Sequence, residues 1–438
     1  MKVKTTKILC GVLAMLAFTA CSSNIDDADG NRPQVWHVTL QASMGDEITR
    51  ALSEGTGNAI IASFAENDEV VVVDADGSTI VGTLKAQSAG ASTTLTGTLD
   101  AKSLIEGEVV TLRYRSATAN YDSQAGTLAG IAASQDYEEG TLTVKTTSPE
   151  LTFTSNHVTL RAKQSITKFT FKDASTNAII SVKTFGIAAA GLVQSIAADA
   201  TSTETIGAVT GTLASASSEV YVALRNNVSG KQQYFFTIKD DADNWYKGTK
   251  WAPLVNGRNY TATVTLTKLE TLTKSSAVGD IGVVSGLPAI AISGNKAVAL
   301  MNAGALCPEH YGTYYTFDKR ALGLSNDWYV PTQDELVSFK DTYTSSSWGA
   351  PNGVNGRTFT IGSNTLFLPA AGYYDNDTAN DSDPNRMLFD VSTHGYYWSQ
   401  TPYSDGMAYK LLFYNSNIQI YSEYTVNELT VRPFHALN

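Results

Sequence analysis

Gln232-Gln233-Tyr234-Phe235-Phe236-Thr237-Ile238-Lys239 is rich in aromatic and β-branched residues, a composition that favours an extended strand. The polar tetrapeptide Asp241-Ala242-Asp243-Asn244 follows, and Trp245-Tyr246-Lys247-Gly248 then resumes the aromatic pattern. Asp and Asn favour tight turns, because their short side chains hydrogen-bond to nearby backbone and tolerate left-handed backbone angles. The stretch therefore predicts a β-hairpin, with two antiparallel strands joined across residues 241–244.

Short strands separated by turns extend in both directions from this hairpin. Long helical periodicity is missing, and Gly, Asn and Asp recur at short intervals, as is typical of all-β sandwiches. We therefore predict a mainly β protein with one sandwich over residues 51–155 and a second over 156–270. The predicted strands lie at residues 35–42, 69–74, 109–114, 141–145, 158–163, 166–172, 220–224 and 256–266.

The composition of the 438 residues narrows the class of protein. Apolar residues make up 43% of the chain, enough for sizeable cores, whereas only 17% of residues are charged. The formal net charge is -11, and no cluster of basic residues follows the first few positions. Nucleic acid is therefore not expected as a partner, because nothing supplies the positive charge that neutralises phosphates.

The first fifty residues predict export. Lysines precede the short apolar run Ile8–Phe18, and small residues lead directly to Cys21. This order predicts a lipoprotein signal peptide over residues 1–21, with Cys21 acylated and tethering the chain to a membrane. Residues 22–50 are then interpreted as a tether followed by the first strand, Val35–Ala42.

The character of the chain changes after a linker rich in Thr, Ser and Gly at residues 271–285. From 286 to 438 aromatic residues become dense, and a capping box is predicted at Thr332 and Glu335, which marks the start of a helix. We therefore predict a third domain of α+β type. Its Cys307 is expected to be a buried small residue rather than a catalytic nucleophile.

Residues 21–270 resemble the fimbrillin family of Bacteroidales pili. The resemblance rests on the lipoprotein signal, the early strand, Ile48-Thr49-Arg50-Ala51, and the closing strand Asn256-Gly257-Arg258-Asn259-Tyr260-Thr261-Ala262-Thr263-Val264. It implies two transthyretin-like sandwiches and a trypsin-like cut after Arg50 that leaves Ala51 as the new N-terminus. Arg32 is a rival cleavage site, but a cut there would leave the first strand in place.

The fimbrillin resemblance also implies a mode of assembly. Release of the first strand would open a groove that accepts a strand donated by a neighbouring pilus subunit, by donor-strand complementation. Lipid on the precursor would hold it at the outer membrane until the cut moves it into the fimbrium. The alternative is that Arg50 merely ends a strand in an exposed turn.

The third domain is similar to the paralogous surface domains of Fibrobacter and Bacteroidetes, which are related to formylglycine-generating enzymes and C-type lectins. The resemblance implies a C-type-lectin-like fold, and no enzymatic activity follows from it, because the oxygen-using enzymes of that fold need active-site cysteines. The motifs that carry it are Trp328–Leu336, Asn355–Phe359, Leu366–Tyr373, Gly395–Thr401, Ala408–Phe413 and Leu429–Phe434.

Candidate ligand residues in the third domain fall into two groups. The aromatic residues Tyr403, Tyr421 and Tyr424 could stack on a sugar ring, whereas Trp328, Tyr396, Tyr397 and Trp398 are expected to be core. A weak Ca²⁺ candidate consists of the alternating carboxylates Asp375, Asp377, Asp381 and Asp383, and a solvated acidic loop is the favoured alternative. No other metal site, no cofactor and no catalytic residue is predicted.

These features favour a tip subunit of a fimbrium, with the third domain as an adhesin for a host or bacterial glycan or protein. A stalk subunit needs a free strand to donate onward, but here the strand after the second sandwich runs into another domain. The alternative is a surface lipoprotein that binds glycans and never polymerises. An enzyme acting on surface polysaccharide is the weakest interpretation, because no paired carboxylates support it.

Overall fold

The structure is a computed structural model, and it is mainly β, as the sequence predicts. It describes residues 35–45, 53–54, 60–61, 63–100, 102, 104–114, 118–147, 150–321, 324, 327–351, 353–376 and 387–438. Cys21, Arg32, Arg50, Ala51 and the carboxylates Asp377, Asp381 and Asp383 lie outside these residues. Among the described residues no helix is long and apolar enough to cross a membrane.

The chain forms a first, a second and a third structural unit. The first contains β1 Val35–Met44, β2 Ser53–Glu54, β3 Ile60–Ile61, β4 Glu69–Val73, β5 Ile80–Ala86, β6 Ser92–Asp100, β7 Val109–Tyr114, β9 Glu138–Thr146, β10 Thr152–Phe153 and β11 His157–Ala162. Between β7 and β9, the strand β8 Ala119–Asn120 and the helix α1 Leu128–Ser134 pack on the second unit. The second unit contains β12 Ser165–Asp173, β13 Val182–Ala188, β14 Leu192–Ile196, β15 Glu204–Ile206, β16 Val209–Ser217, β17 Val220–Asn226, β18 Gln232–Asp240, β19 Trp245–Ala252 and β20 Asn259–Lys268.

The third unit is built from shorter elements. They are β21 Ile281–Val284, β22 Leu287–Ile292, β23 Lys296–Ala299, a 3-10 turn Phe317–Lys319, α2 Gln333–Lys340, β24 Ser345–Gly349, β25 Gly356–Ile361, β26 Asn364–Pro369, β27 Tyr373–Asp375, β28 Met387–Phe389, β29 His394–Ser404, β30 Met407–Tyr414, β31 Asn417–Tyr424 and β32 Phe434–Ala436. The predicted capping box is confirmed, because the Thr332 side chain accepts from the Glu335 N–H while the Glu335 carboxylate accepts from the Thr332 N–H.

The main sheet of the first unit closes on itself. Its strands follow the order β11-β1-β6-β5-β4-β7-β9, and β9 pairs with β11 again, so seven strands form a ring around one core. Glycines sit where strands of the ring approach most closely: a Cβ on Gly97 would collide with the carbonyl oxygen of Thr83. The ring has no open edge along these pairings.

The second unit contains the hairpin that the sequence predicts. β18 and β19 pair antiparallel over eight residues, from Gln232 opposite Ala252 to Lys239 opposite Trp245. The Asp240 carboxylate closes the turn by accepting from the backbone N–H groups of Ala242 (2.9 Å) and Asn244 (2.8 Å), while Asp243 takes a positive φ of 64°. The sheet order is β15-β14-β17-β12-β20-β19-β18-β13-β16, with β12 and β20 parallel.

Strand assignment near residue 156 differs from the sequence prediction. The sequence prediction assigns the strand at 158–163 to the second sandwich, but His157–Ala162 pairs with β1 and β9 in the first ring. Conversely, Tyr121 and Ile131 belong to the core of the second unit. Segments that are close in sequence thus belong to different units. Local composition does not predict this, because strand pairing depends on contacts between residues far apart in the sequence.

The third unit packs directly on the second. Trp245 of β19 lies in the core of the third unit, and its Nε1 donates to the Gly286 carbonyl oxygen at 2.9 Å. The His310 ring and the Asp122 carboxylate meet at 3.0 Å across the same boundary. Cys307 is buried as predicted, seated against Gly186 where a Cβ would collide with it, and burial raises the pKa of its thiol.

Glu138, at the start of β9, is a buried carboxyl group whose protonation should affect the stability of the protein. It is almost completely buried, and neither carboxylate oxygen has a hydrogen-bond partner among the described residues. Burial, reinforced by the nearby Asp136 carboxylate, raises the pKa of Glu138 well above 4.5. The folded chain therefore holds a proton at Glu138 that the unfolded chain releases as the pH rises past 4.5.

We expect Glu138→Gln to change how stability depends on pH. A raised folded pKa contributes stability that is complete below the unfolded pKa and is lost as pH rises toward the folded pKa. The wild-type protein should therefore lose up to about 1.4 kcal/mol per pH unit relative to Glu138→Gln from about pH 5 upward. Denaturant unfolding at pH 5, 6, 7 and 8 measures this difference, and parallel profiles for the two proteins would contradict it.

Candidate functional site

Strand β1 is inserted between two strands that lie far from it in sequence. It pairs antiparallel with β6 over nine residues, from Val35 opposite Asp100 to Ser43 opposite Ser92. On its other side, residues 41–44 pair parallel with His157–Leu160 of β11. Loss of β1 would therefore leave the edges of β6 and β11 facing each other across an empty slot about one strand wide.

The side chains of β1 alternate between solvent and core. Val38, Leu40 and Ala42 are buried, whereas His37 and Gln41 point outward. This period of two places each inward residue in its own recess of the ring core. The recesses are bounded across β6 by Leu99, Gly97, Leu95 and Thr93, which lie opposite Trp36, Val38, Leu40 and Ala42.

We refer to the slot between β6 and β11 as the β1 groove. Without β1, this groove could bind another strand. Main-chain N–H and C=O groups on its two edges would hydrogen-bond to that strand, and the recesses would fix the register of the bound strand. No titratable group is required for this, and none of the inward residues of β1 is charged. The groove is thus suited to binding an extended segment.

The sequence predicts β1 as a strand, but it does not predict that β6 and β11 are the two walls of the β1 groove. A signal for one wall is present in the sequence: His37-Val38-Thr39-Leu40-Gln41-Ala42 and His157-Val158-Thr159-Leu160-Arg161-Ala162 share five of six residues. Both segments bury Val and Leu at the same alternate positions. For β6 the Thr-rich run Ser92–Asp100 carries no comparable signal that would identify it as the partner.

The three tyrosines singled out as ligand candidates do not form one surface. Tyr403, Tyr421 and Tyr424 are each more than half exposed, on the sheet β29-β30-β31. Tyr424 lies opposite Met407 and Tyr421 opposite Lys410, an offset of three residues that puts them on opposite faces. Tyr403 contacts Tyr409 edge-on at 5.2 Å, on the face that carries Tyr424.

The four aromatic residues expected to be core are confirmed as core: Trp328, Tyr396, Tyr397 and Trp398 are all buried. The Trp398 Nε1 donates to the Tyr315 carbonyl oxygen at 2.6 Å, and the Tyr397 hydroxyl donates to that of Pro369 at 2.7 Å. Satisfied polar atoms of this kind anchor the rings inside the unit. They are unavailable to stack on a sugar.

Asp375 is the member of the acidic loop that the structure describes, at the end of β27. The neighbouring Asn376 is buried, where its backbone N–H donates to Asn427 and its side-chain amide donates to Glu428. No group of three residues of the His, Cys, Asp or Glu type that could hold a metal ion occurs among the described residues. The Ca²⁺ site therefore stays a prediction.

Comparison with known proteins gives partial matches. A family model for a domain of unknown function (DUF8237) matches residues 355–434, less than one fifth of the chain. That range spans the predicted third-domain motifs from Asn355 to Phe434. No curated protein matches the chain.

Solved structures overlap the fold at low similarity. A Bacteroides uniformis protein provisionally named a cell adhesion protein matches with 13% identity and a TM-score of 0.32, over 56% of this chain and 98% of its own. A fimbrial assembly protein from Parabacteroides distasonis matches with 12% identity and a TM-score of 0.26, over 52% and 91%. A fimbrial protein from Bacteroides ovatus matches with 11% identity and a TM-score of 0.25, over 91% and 98%. At these TM-scores the similarities do not indicate the function of this chain.

Proposed function

We propose that this chain is a fimbrial subunit that joins its neighbour by exchanging β1 for a donated strand. The observation that carries the proposal is the place of β1 in the ring: it is paired on both sides and alternately buried, yet it is the first strand that the structure describes. Once a cut separates β1 from the rest of the chain, the strand can leave without threading the chain through the ring. Its departure would expose a slot ready for strand addition.

The proposed maturation begins with lipid on Cys21, which holds the precursor at the outer membrane. A cut after Arg50 then makes Ala51 the N-terminus and separates lipid and β1 from the rest of the chain. Residue 50 lies six positions beyond the end of β1 at Met44. A cut there frees the whole strand, whereas a cut after Arg32 would not.

The proposed position is the tip of the fimbrium. The segment that follows β20 does not extend freely but folds into the third unit, where β32 pairs with β23. Trp245 of the second unit is built into the third-unit core, which fixes the two units to each other. On this proposal the chain accepts a strand but donates none, because the segment after its second unit is committed to the third unit.

The third unit would then be the adhesin, with a lectin-like fold presented at the cell surface. Its exposed aromatic side chains Tyr403 and Tyr424 are the proposed contacts for a host or bacterial glycan. The proposal includes no catalytic step. Burial keeps the Cys307 thiol protonated, and a thiol is a poor nucleophile.

Mass spectrometry of the mature protein, taken from the surface of the cell that makes it, tests this proposal. We expect an N-terminus at Ala51 and no peptide from residues 35–44 in assembled material. Arg50→Ala should leave the precursor uncut, whereas Arg32→Ala should mature normally and serves as the matched control. A mature protein that retains lipid on Cys21 would overturn the proposal.

Retained lipid would instead favour the second candidate, a surface lipoprotein that binds glycans without polymerising. The exposure of the three tyrosines favours this candidate independently of β1. Glycan arrays with the full chain and with Tyr403→Ala or Tyr421→Ala compare the two faces of the sheet. Loss of binding with only one variant would identify the face in contact.

A further inference from the structure

We propose that the β1 groove selects its donated strand by size at a single recess, the one that Ala42 fills. The inference rests on the proposed function, since it concerns the strand that replaces β1. The partner it names is an extended segment with apolar residues at alternate positions and a small residue, such as Ala, in the position of Ala42. A larger apolar residue at that position would exclude the segment.

The recess of Ala42 is closed on both sides. Residues 41–43 are the part of β1 that pairs with β6 and β11 at once, so Ala42 lies between Thr93 on one side and Val158 on the other. Ala42 is 1% exposed, and its two neighbours are 4% and 2% exposed. A side chain longer than a methyl group has to displace one of these buried walls.

The walls of this recess are themselves fixed. The Thr93 hydroxyl accepts from the Ser88 backbone N–H at 3.1 Å, which holds the threonine side chain in place. Val158 is β-branched and packs in the ring core, and branched residues have few rotamers to adopt. Neither wall ends in a flexible chain that could move aside cheaply.

The N-terminal half of the groove is more permissive. In the part of the chain that the structure describes, Val35–Leu40 pairs with β6 alone. Val38 lies opposite Gly97, which presents no side chain across the strand pair, and Trp36 is only partly buried. Substitutions of moderate size should therefore be tolerated there more readily than at Ala42.

Size selection at the recess of Ala42 would also fix the register of the donated strand. Main-chain hydrogen bonds alone would accept any extended segment and would allow it to slide by two residues. The only small residue among the inward positions, Ala42, makes such a slide costly, because a slide moves a larger residue into the closed recess. The small residue thus both identifies the donated strand and fixes its register.

The test uses the full chain with Cys21→Ser, to prevent lipid attachment, and with a site for a sequence-specific protease placed within residues 46–52. After cleavage, labelled peptides with the sequence of residues 35–45 compete with the resident β1. The peptides carry the native sequence, Ala42→Leu, or Gln41→Leu. The last adds the same bulk one position away on the outward face and is the matched control.

We expect the native and Gln41→Leu peptides to enter the cleaved protein with affinities within about threefold of each other, since Gln41 points outward. The Ala42→Leu peptide should bind at least about tenfold more weakly, because overpacking a closed recess is costly. Equal entry of all three peptides would overturn size selection but leave strand exchange intact. Entry of none of them, including the native peptide, would count against the proposed function itself.

Discussion

Replacing Leu40 with Ala should lower the free energy of unfolding of the first unit by about 2–5 kcal/mol. Leu40 is almost fully buried in the ring core and lies opposite Leu95, which is fully buried. Truncation removes apolar burial and leaves a cavity in the ring core, which the surrounding paired strands cannot easily close. Hydrogen exchange of the β6 amides under native conditions measures the effect locally, without interference from the other two units.

Thr39→Ala is the matched control for this prediction. Thr39 is the adjacent residue on the same strand and is exposed, so its truncation should change stability by less than about 0.5 kcal/mol. After cleavage within residues 46–52, Leu40→Ala should also speed the loss of β1 from the ring, and Thr39→Ala should not. Identical exchange rates in the two variants would mean that β1 does not hold the ring together.

The second large effect is expected in the third unit, where Glu423→Gln should destabilise the chain by about 3–5 kcal/mol. Glu423 forms an ion pair with Lys410, whose side chain is only 5% exposed. The Lys410 ammonium also lies 4.3 Å from the centre of the Tyr396 ring. Burial lowers the pKa of Lys410, with Glu423 opposing that shift, so loss of the carboxylate leaves a buried cation without its counter-charge.

Two further variants check this explanation. The double replacement Lys410→Met with Glu423→Leu should recover part of the lost stability, because neither charge of the pair is then left buried, while the Tyr424 N–H and the Asn427 amide lose their acceptor. Glu69→Gln removes the carboxylate of the exposed Lys85–Glu69 pair, which spans 3.3 Å, and should cost less than about 1 kcal/mol. Thermal unfolding of all four proteins measures these differences, and similar losses for Glu69→Gln and Glu423→Gln would contradict the role of burial.

The sequence predicts the structure correctly where the residues that determine it are neighbours in the chain. The hairpin of β18 and β19 follows from alternating apolar residues around an Asp- and Asn-rich turn, and the start of α2 follows from Thr332 and Glu335. In the hairpin turn and at the start of the helix, the residues that determine the structure are only a few positions apart in the sequence. The burial of Cys307 was predicted from residue type alone, although not its position at the boundary between the second and third units.

The sequence does not predict which strands pair when the partners lie far apart in the chain. The sequence predicts that β1 is a strand, but its partners lie 49–65 residues away in β6 and more than one hundred away in β11. The assignment of His157–Ala162 to the second sandwich reflects the same difficulty. Trp245 begins the return strand of the predicted hairpin in the second block, yet its side chain lies in the core of the third unit.

Residue patterns alone predict that this chain is mainly β, where many of its strands lie, and which face of β1 is apolar, because a period of two is visible in consecutive residues. The closure of the first sheet into a ring and the pairing of β1 on both sides are visible only in the folded protein. The same is true of the position of Ala42 between Thr93 and Val158. Backbone hydrogen bonds between strands scarcely depend on the side chains, so the neighbours of a strand are set by how distant side chains pack in one shared core.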